Sequence, residues 1–114
     1  LSNAAVVKVI PDDQGRAIYF SRHPIPYSRK SAPDAGESFV CRRHVGLYVY
    51  KRETLLRFSA LPACAMERAE SLEQLRALQA GIPIGIAEVD FTSIGVDTPE
   101  ELEKVRSILR TGGA

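Results

Sequence analysis

The sequence predicts a mixed α/β domain, and three observations lead there. Strand-like segments at 6–10, 16–20, 43–50 and 82–89 are interleaved with segments of helical spacing at 51–60, 66–80 and 99–110. Turn and stop signals built from Pro, Gly, Asp and Asn-like residues separate them. With 114 residues, 45% hydrophobic and 25% charged, the chain has enough material for one core and not two. The order is β-β-loop-β-α-α-β-α.

Val6 to Ile10 is β-branched and nearly continuously apolar, like a strand buried on both faces. Pro11-Asp12-Asp13-Gln14-Gly15 is turn chemistry, with Gly15 free to take a positive φ. Arg16 to Phe20 then returns as the second strand of a hairpin. His23 to Ser38 holds Pro24, Pro26, Pro33 and Gly36 and reads as one long loop, carrying Arg29 and flanked by Arg22. From Arg43 to Tyr50 the pattern has period two. Val45, Leu47 and Val49 are expected to point inward, and His44, Tyr48 and Tyr50 to share the other, polar face.

Lys51 to Ala60 changes to helical spacing and Pro62 ends it. Met66 to Ala80 is the clearest helix, with Glu67 and Glu70 in its first turns and Gly81 and Pro83 as its stop. Ile82 to Val89 is expected as a further strand and 91–96 as a connector. Thr98-Pro99-Glu100-Glu101 is a capping box with Pro at the first helical position. Leu102, Val105, Ile108 and Leu109 form the apolar stripe of that last helix, with Glu100 and Lys104 placed to pair.

Several function classes are excluded early. Fifteen Lys+Arg against fourteen Asp+Glu leave +1, so no basic excess exists to hold a nucleic-acid backbone. Apolar runs such as Ala4–Val7 are far short of the ~20 residues that cross a bilayer. Cys41 and Cys64 form no CxxC, which points to a reduced, cytoplasmic setting. The chain opens Leu1-Ser2-Asn3-Ala4 with neither Met nor a signal-peptide pattern, and reads as a piece of something longer. Walker, GxGxxG, GxSxG and HExxH motifs are absent from the sequence.

The candidate site residues have bland readings when taken singly. Arg22 and Arg29 read as solvated loop charges and His44 as a hydrogen-bonded rim residue. Glu73 reads as a partner of Arg76, and Asp97 as an alternative N-cap. Together they stand in four blocks: Tyr19-Phe20-Ser21-Arg22-x-x-Ile25-Pro26, Arg43-His44-x-Gly46-x-Tyr48-x-Tyr50, Glu70-x-Leu72-Glu73-Gln74-Leu75-Arg76, and Gly95-Val96-Asp97-Thr98-Pro99-Glu100-Glu101-Leu102. In this order and spacing they resemble the C-terminal half of the 3-deoxy-manno-octulosonate (KDO) cytidylyltransferases, the CMP-KDO synthetases. The resemblance covers nearly the whole chain.

That resemblance implies a Rossmann-like nucleotidyltransferase (nucleotide-diphospho-sugar transferase) fold, with a mixed sheet and flanking helices. Residues 1–114 would be its sugar-binding and dimerising portion, without the N-terminal nucleotide-binding half. The implied reaction is attack of the sugar's anomeric hydroxyl on the α-phosphate of CTP, releasing pyrophosphate for lipopolysaccharide synthesis. Arg22 and Arg29 would hold the sugar carboxylate or hydroxyls. His44 and Tyr48, roughly 13 Å apart along a flat strand, would bracket the eight-carbon acid, with Glu73 and Gln74 reading hydroxyls. Asp97 would be the catalytic carboxylate that holds Mg²⁺. Glu67 lies in a Pro62-Ala63-Cys64-Ala65-Met66-Glu67 stretch that departs from the family's Ser-Pro-Leu-Glu run, so it is taken as a helix starter only. A cytoplasmic homodimer is the implied assembly. The alternatives are another sugar-acid cytidylyltransferase, such as a CMP-sialate synthetase, and a silent dimerisation module.

Overall fold

Asp12 and Gly15 fold the first two strands onto each other. In the computed structural model, which describes residues 3–29, 41–90 and 94–112, the Asp12 carboxylate accepts the N–H groups of Gln14 and Arg16 at 2.8 and 2.9 Å. Gly15 takes φ +74°, a region that costs other L-residues strain. The hairpin joins β1 (Lys8–Pro11) and β2 (Ala17–Ser21) antiparallel, with Val9 opposite Phe20 and Lys8 opposite Ser21. β3 (Arg42–Arg43) pairs antiparallel on the other side of β1, so the sheet order is β2-β1-β3. Both pairings in this small sheet are antiparallel, and helices flank it.

Two expected strands come out differently. Past β3 the ladder continues only through the His44 N–H to the Val7 carbonyl. The Leu47 N–H then turns back to the Val45 carbonyl at 2.7 Å, a tight turn in place of a ladder rung. Two of the three residues expected to point inward are also turned outward. Leu47 and Val49 are 79% and 99% exposed, whereas His44 and Tyr48 are half-buried. The rings of His44, Tyr48 and Tyr50 run in series from Phe20 to Phe58 at centroid spacings of 5.3 to 6.0 Å. Ring contact with the core wins over the aliphatic face.

The segment 82–89 makes one isolated bridge, Arg16 to Gly85, with hydrogen bonds at Ala17–Ile84 and Ile86–Gly15. Pro83 has no N–H to extend it, and no second strand lies beside it among the described residues.

α1 (Arg52–Ala60) matches expectation. The long helix over 66–80 does not form as one piece. It is split into α2 (Ala65–Glu70) and α3 (Gln74–Gln79) by Ser71 in the left-handed conformation, φ 53°. α4 (Pro99–Arg110) starts at Thr98, whose hydroxyl accepts the Glu101 N–H while Glu101 reaches back to the Thr98 N–H. Its ion pair joins Glu103 to Arg106, not Glu100 to Lys104. α4 buries no residue. No described helix is long and apolar enough to cross a membrane. The rest of the expected loop (30–38) and residues 91–93 of the connector lie outside the described residues.

Val9 and Phe20 from the hairpin pack on Leu72 and Leu75 to form the main core, and Phe58, Ala77 and Ile82 form a second cluster beside it. Leu75 is fully buried. Leu75→Ala should therefore lose about 2–5 kcal/mol of stability. Leu109→Ala on the open face of α4 should lose about 0.5 kcal/mol or less. Urea unfolding of both variants checks the contrast.

Candidate functional site

Where β2 ends, its last residues are tied to the end of α2. The Glu70 carboxylate accepts the Ser21 hydroxyl at 2.6 Å and the Arg22 N–H at 2.8 Å. The Arg22 guanidinium answers by donating Nε–H to the Glu70 carbonyl at 2.7 Å, with longer bonds to the carbonyls of Ser71 and Ala4. Lys8, wholly buried, donates to the carbonyls of Arg22 and Asn3, both at 2.6 Å. Burial pushes the Glu70 carboxyl up, but the Ser21, Arg22 and Tyr19 donors outweigh it and hold it below the usual carboxylate range.

Immediately after this tie, the chain turns through Ser71 and presents Glu73 and Gln74 to a cavity of about 540 Å³. His44, Gly46 and Tyr48 come to the same cavity from the segment after β3. The Tyr48 hydroxyl and His44 Nε2 are 2.5 Å apart, so the two side chains act as one unit. They do not bracket a ligand across 13 Å, because the tight turn at Val45–Leu47 shortens the segment. His44 and Tyr48 also border a larger, mostly apolar groove of about 720 Å³ between the segments 42–50 and 82–90. Gln74 is buried, and among the described residues its Nε2 has no hydrogen-bond partner. A buried amide donor without a partner costs free energy.

Burial lowers the His44 pKa from its ordinary value of 6.5, keeping the imidazole neutral. Burial, then the neighbouring Tyr50 and Glu73, push Tyr48 up to about 12. A protonated phenol against a neutral imidazole donates to Nε2, which leaves the ring proton on Nδ1. The site therefore offers an amide donor, a neutral imidazole, a phenol oxygen that can accept, and an exposed carboxylate. That donor set suits a polyhydroxylated ligand.

Comparison with known proteins bears on what such a ligand is. A cytidylyltransferase family model matches residues 1–91. The 3-deoxy-manno-octulosonate cytidylyltransferase of Trichlorobacter lovleyi is 46% identical over 113 residues, covering 94% of this chain and 45% of the relative. The enzyme of the same name from Chlorobium luteolum is 52% identical over 105 residues, covering 92% and 40%. The solved structure of a CMP:2-keto-3-deoxy-manno-octonic acid synthetase complexed with CTP superposes with a TM-score of 0.85 at 45% identity, over 97% of this chain and 44% of that one. The chain belongs to the cytidylyltransferase family. It spans less than half the length of these relatives.

Within this cytidylyltransferase chain the expected site residues divide into two groups. His44, Tyr48, Glu73 and Gln74 line one cavity. Arg22, Arg29 and Asp97 line neither cavity. Arg22 spends its guanidinium on backbone carbonyls, Arg29 is exposed, and Asp97 is exposed ahead of α4 with its N–H donated to Glu101. Glu73 is not the partner of Arg76, which instead forks onto Glu67 and lies over the Phe58 ring. Glu67 starts α2, as its place in the sequence suggests, and accepts the Cys64 N–H.

Among the described residues no three His, Cys, Asp or Glu side chains converge on a metal position. Asp97 supplies one exposed carboxylate. That fits Mg²⁺, which takes one or two carboxylates and completes its shell with water and phosphate oxygens.

Glu70 is the residue of this junction that sequence reasoning did not single out. It stood inside the third block, yet it read only as a favourable charge in an early helical turn. The one available signal was Ser71, a poor residue for a helix interior.

The pH dependence of stability should show the buried imidazole. Above about pH 7 the folded and unfolded chains both keep His44 neutral, and stability is full. As pH falls through 6.5 the unfolded chain binds a proton that the folded chain resists, so stability declines until the lower folded pKa is passed. The lowered carboxyls Glu67 and Glu70 add a separate decline that begins near their ordinary 4.5. Thermal unfolding between pH 7.5 and 5 should fall for the native chain and lie flatter for His44→Gln.

Proposed function

We propose that this chain is the sugar-binding portion of a CTP:3-deoxy-manno-octulosonate cytidylyltransferase. The complete enzyme would join CMP to the anomeric hydroxyl of the eight-carbon acid and release pyrophosphate, for lipopolysaccharide synthesis, as a cytoplasmic homodimer. One observation carries the reading. Gln74, whose buried amide nitrogen has no partner among the described residues, lines a cavity with His44, Tyr48 and Glu73, in a chain about half identical to enzymes named for that acid.

The roles follow from the chemistry of each group. Gln74 donates to a sugar hydroxyl and Glu73 accepts from another, which orients the acid and excludes water from its inner edge. The Tyr48–His44 pair contributes a fixed dipole at the same wall. Arg22 and Arg29 line neither cavity, and their assignment to the sugar carboxylate rests on the family resemblance. Asp97 is the ligand this chain would give to Mg²⁺. When bound, that ion would neutralise charge on the α-phosphate. The nucleotide loop belongs to the part of the relatives that this chain does not span.

The test uses a chimera in which this chain replaces the 45% of the Trichlorobacter lovleyi relative that it matches. The 114-residue chain alone should release no pyrophosphate from CTP, and the chimera should do so with KDO and Mg²⁺. Gln74→Ala should raise the sugar KM by about tenfold, the loss of one buried hydrogen bond, and leave the CTP KM within about twofold. Asp97→Asn should lower kcat with a stability change of about 1 kcal/mol or less, since Thr98 still caps α4. Turnover of sialic acid in place of KDO would redirect the substrate assignment. A folded chimera without any turnover would leave the silent-module reading.

A further inference from the structure

We propose that Glu70 is the positioning residue of the sugar site, setting the break between α2 and α3 that turns Gln74 and Glu73 into the cavity. The proposal deepens the reading above and rests on it for its kinetic consequence.

Left to local preference, 66–80 is one helix: the apolar residues recur at helical spacing from Met66 through Leu78. In a continuous helix residues 70 and 74 would stand one turn apart on one face. Glu70, bound to the end of β2, and Gln74, at the cavity, could not then be aimed independently. The observed break separates them. Glu70 closes α2, Ser71 takes φ 53°, and α3 begins at Gln74. A non-glycine residue in that region is strained, so something must hold it.

The structure shows three holds at that point, all joined to Glu70 or its neighbour. The carboxylate takes the Ser21 hydroxyl and the Arg22 N–H. The Glu70 carbonyl takes Arg22 Nε–H, and the Ser71 carbonyl takes Arg22 Nη2 at 3.2 Å. Ser21 is 2% exposed, so water is a poor substitute partner for its hydroxyl. Leu72, the next residue, drops into the core with Val9, Phe20 and Leu75. Glu70 itself lines neither cavity. Its effect on a ligand passes through the backbone of 71–74.

The experiment has two arms. In the 114-residue chain, hydrogen exchange of the Arg22 and 72–75 amides should quicken about tenfold or more in Glu70→Ala, and less in Glu70→Gln, which keeps one acceptor oxygen. Ile82→Ala, a truncation in the second core cluster, should lower stability without singling out those amides. In the chimera, Glu70→Ala should raise the sugar KM about tenfold and Glu70→Gln about threefold, with the CTP KM nearly unchanged. Ile82→Ala should leave both KM values near native. Exchange at 72–75 that rises no more than elsewhere overturns the proposal. So does an active chimera whose sugar KM ignores Glu70. A native chimera without KDO-dependent turnover counts against the sugar-acid reading instead, and the exchange arm then decides the clamp by itself.

Discussion

The carboxylate of Glu70 is where the two halves of this structure meet. It accepts a hydroxyl and an amide from the last residues of β2, while its own carbonyl takes the guanidinium those residues carry. Charge-assisted hydrogen bonds are the stronger kind, and here they are reciprocal. Hairpin and helices are thereby registered against each other at one end. The apolar contacts of Val9 and Phe20 with Leu72 and Leu75 complete the joint. Neither set would suffice alone. Apolar packing is non-directional and would not choose the angle at which α3 leaves Ser71, and a few hydrogen bonds would not offset the entropy of ordering both elements.

From that joint the site follows in short steps. The left-handed Ser71 ends α2, the next turn buries Leu72, and Gln74 arrives at the cavity wall with a donor unspent. The opposite wall is made by the segment after β3, whose rings lean on the core from Phe20 to Phe58. The same packing that buries these rings keeps His44 neutral and Tyr48 protonated. Electrostatics and shape thus share their largest cause, the loss of water around the ring series.

Much of this was legible beforehand, and particular residues show why. Asp12 and Gly15 announce the hairpin because a turn's dihedral needs are local. Thr98, Pro99 and Glu101 announce α4 because a cap satisfies its own backbone groups. The grouping of His44, Tyr48, Glu73 and Gln74 was legible only through the family-like blocks, since nothing in their spacing brings position 44 to position 74. Arg22 follows the second strand as expected, but its guanidinium is engaged by carbonyls that local sequence does not reveal.

The sequence by itself determined the hairpin, the extent of α1, the cap of α4 and the family to which the chain belongs. These depend on interactions within a few residues or on motifs that survive intact. The tertiary structure alone decided the break at Ser71, the outward turn of Leu47 and Val49 after β3 and the fate of 82–89. Each is settled by what lies opposite. A helix can be broken by donors from a distant strand, a period-two pattern shows that its two faces differ without showing which one the core takes, and a strand needs a neighbour to be a strand.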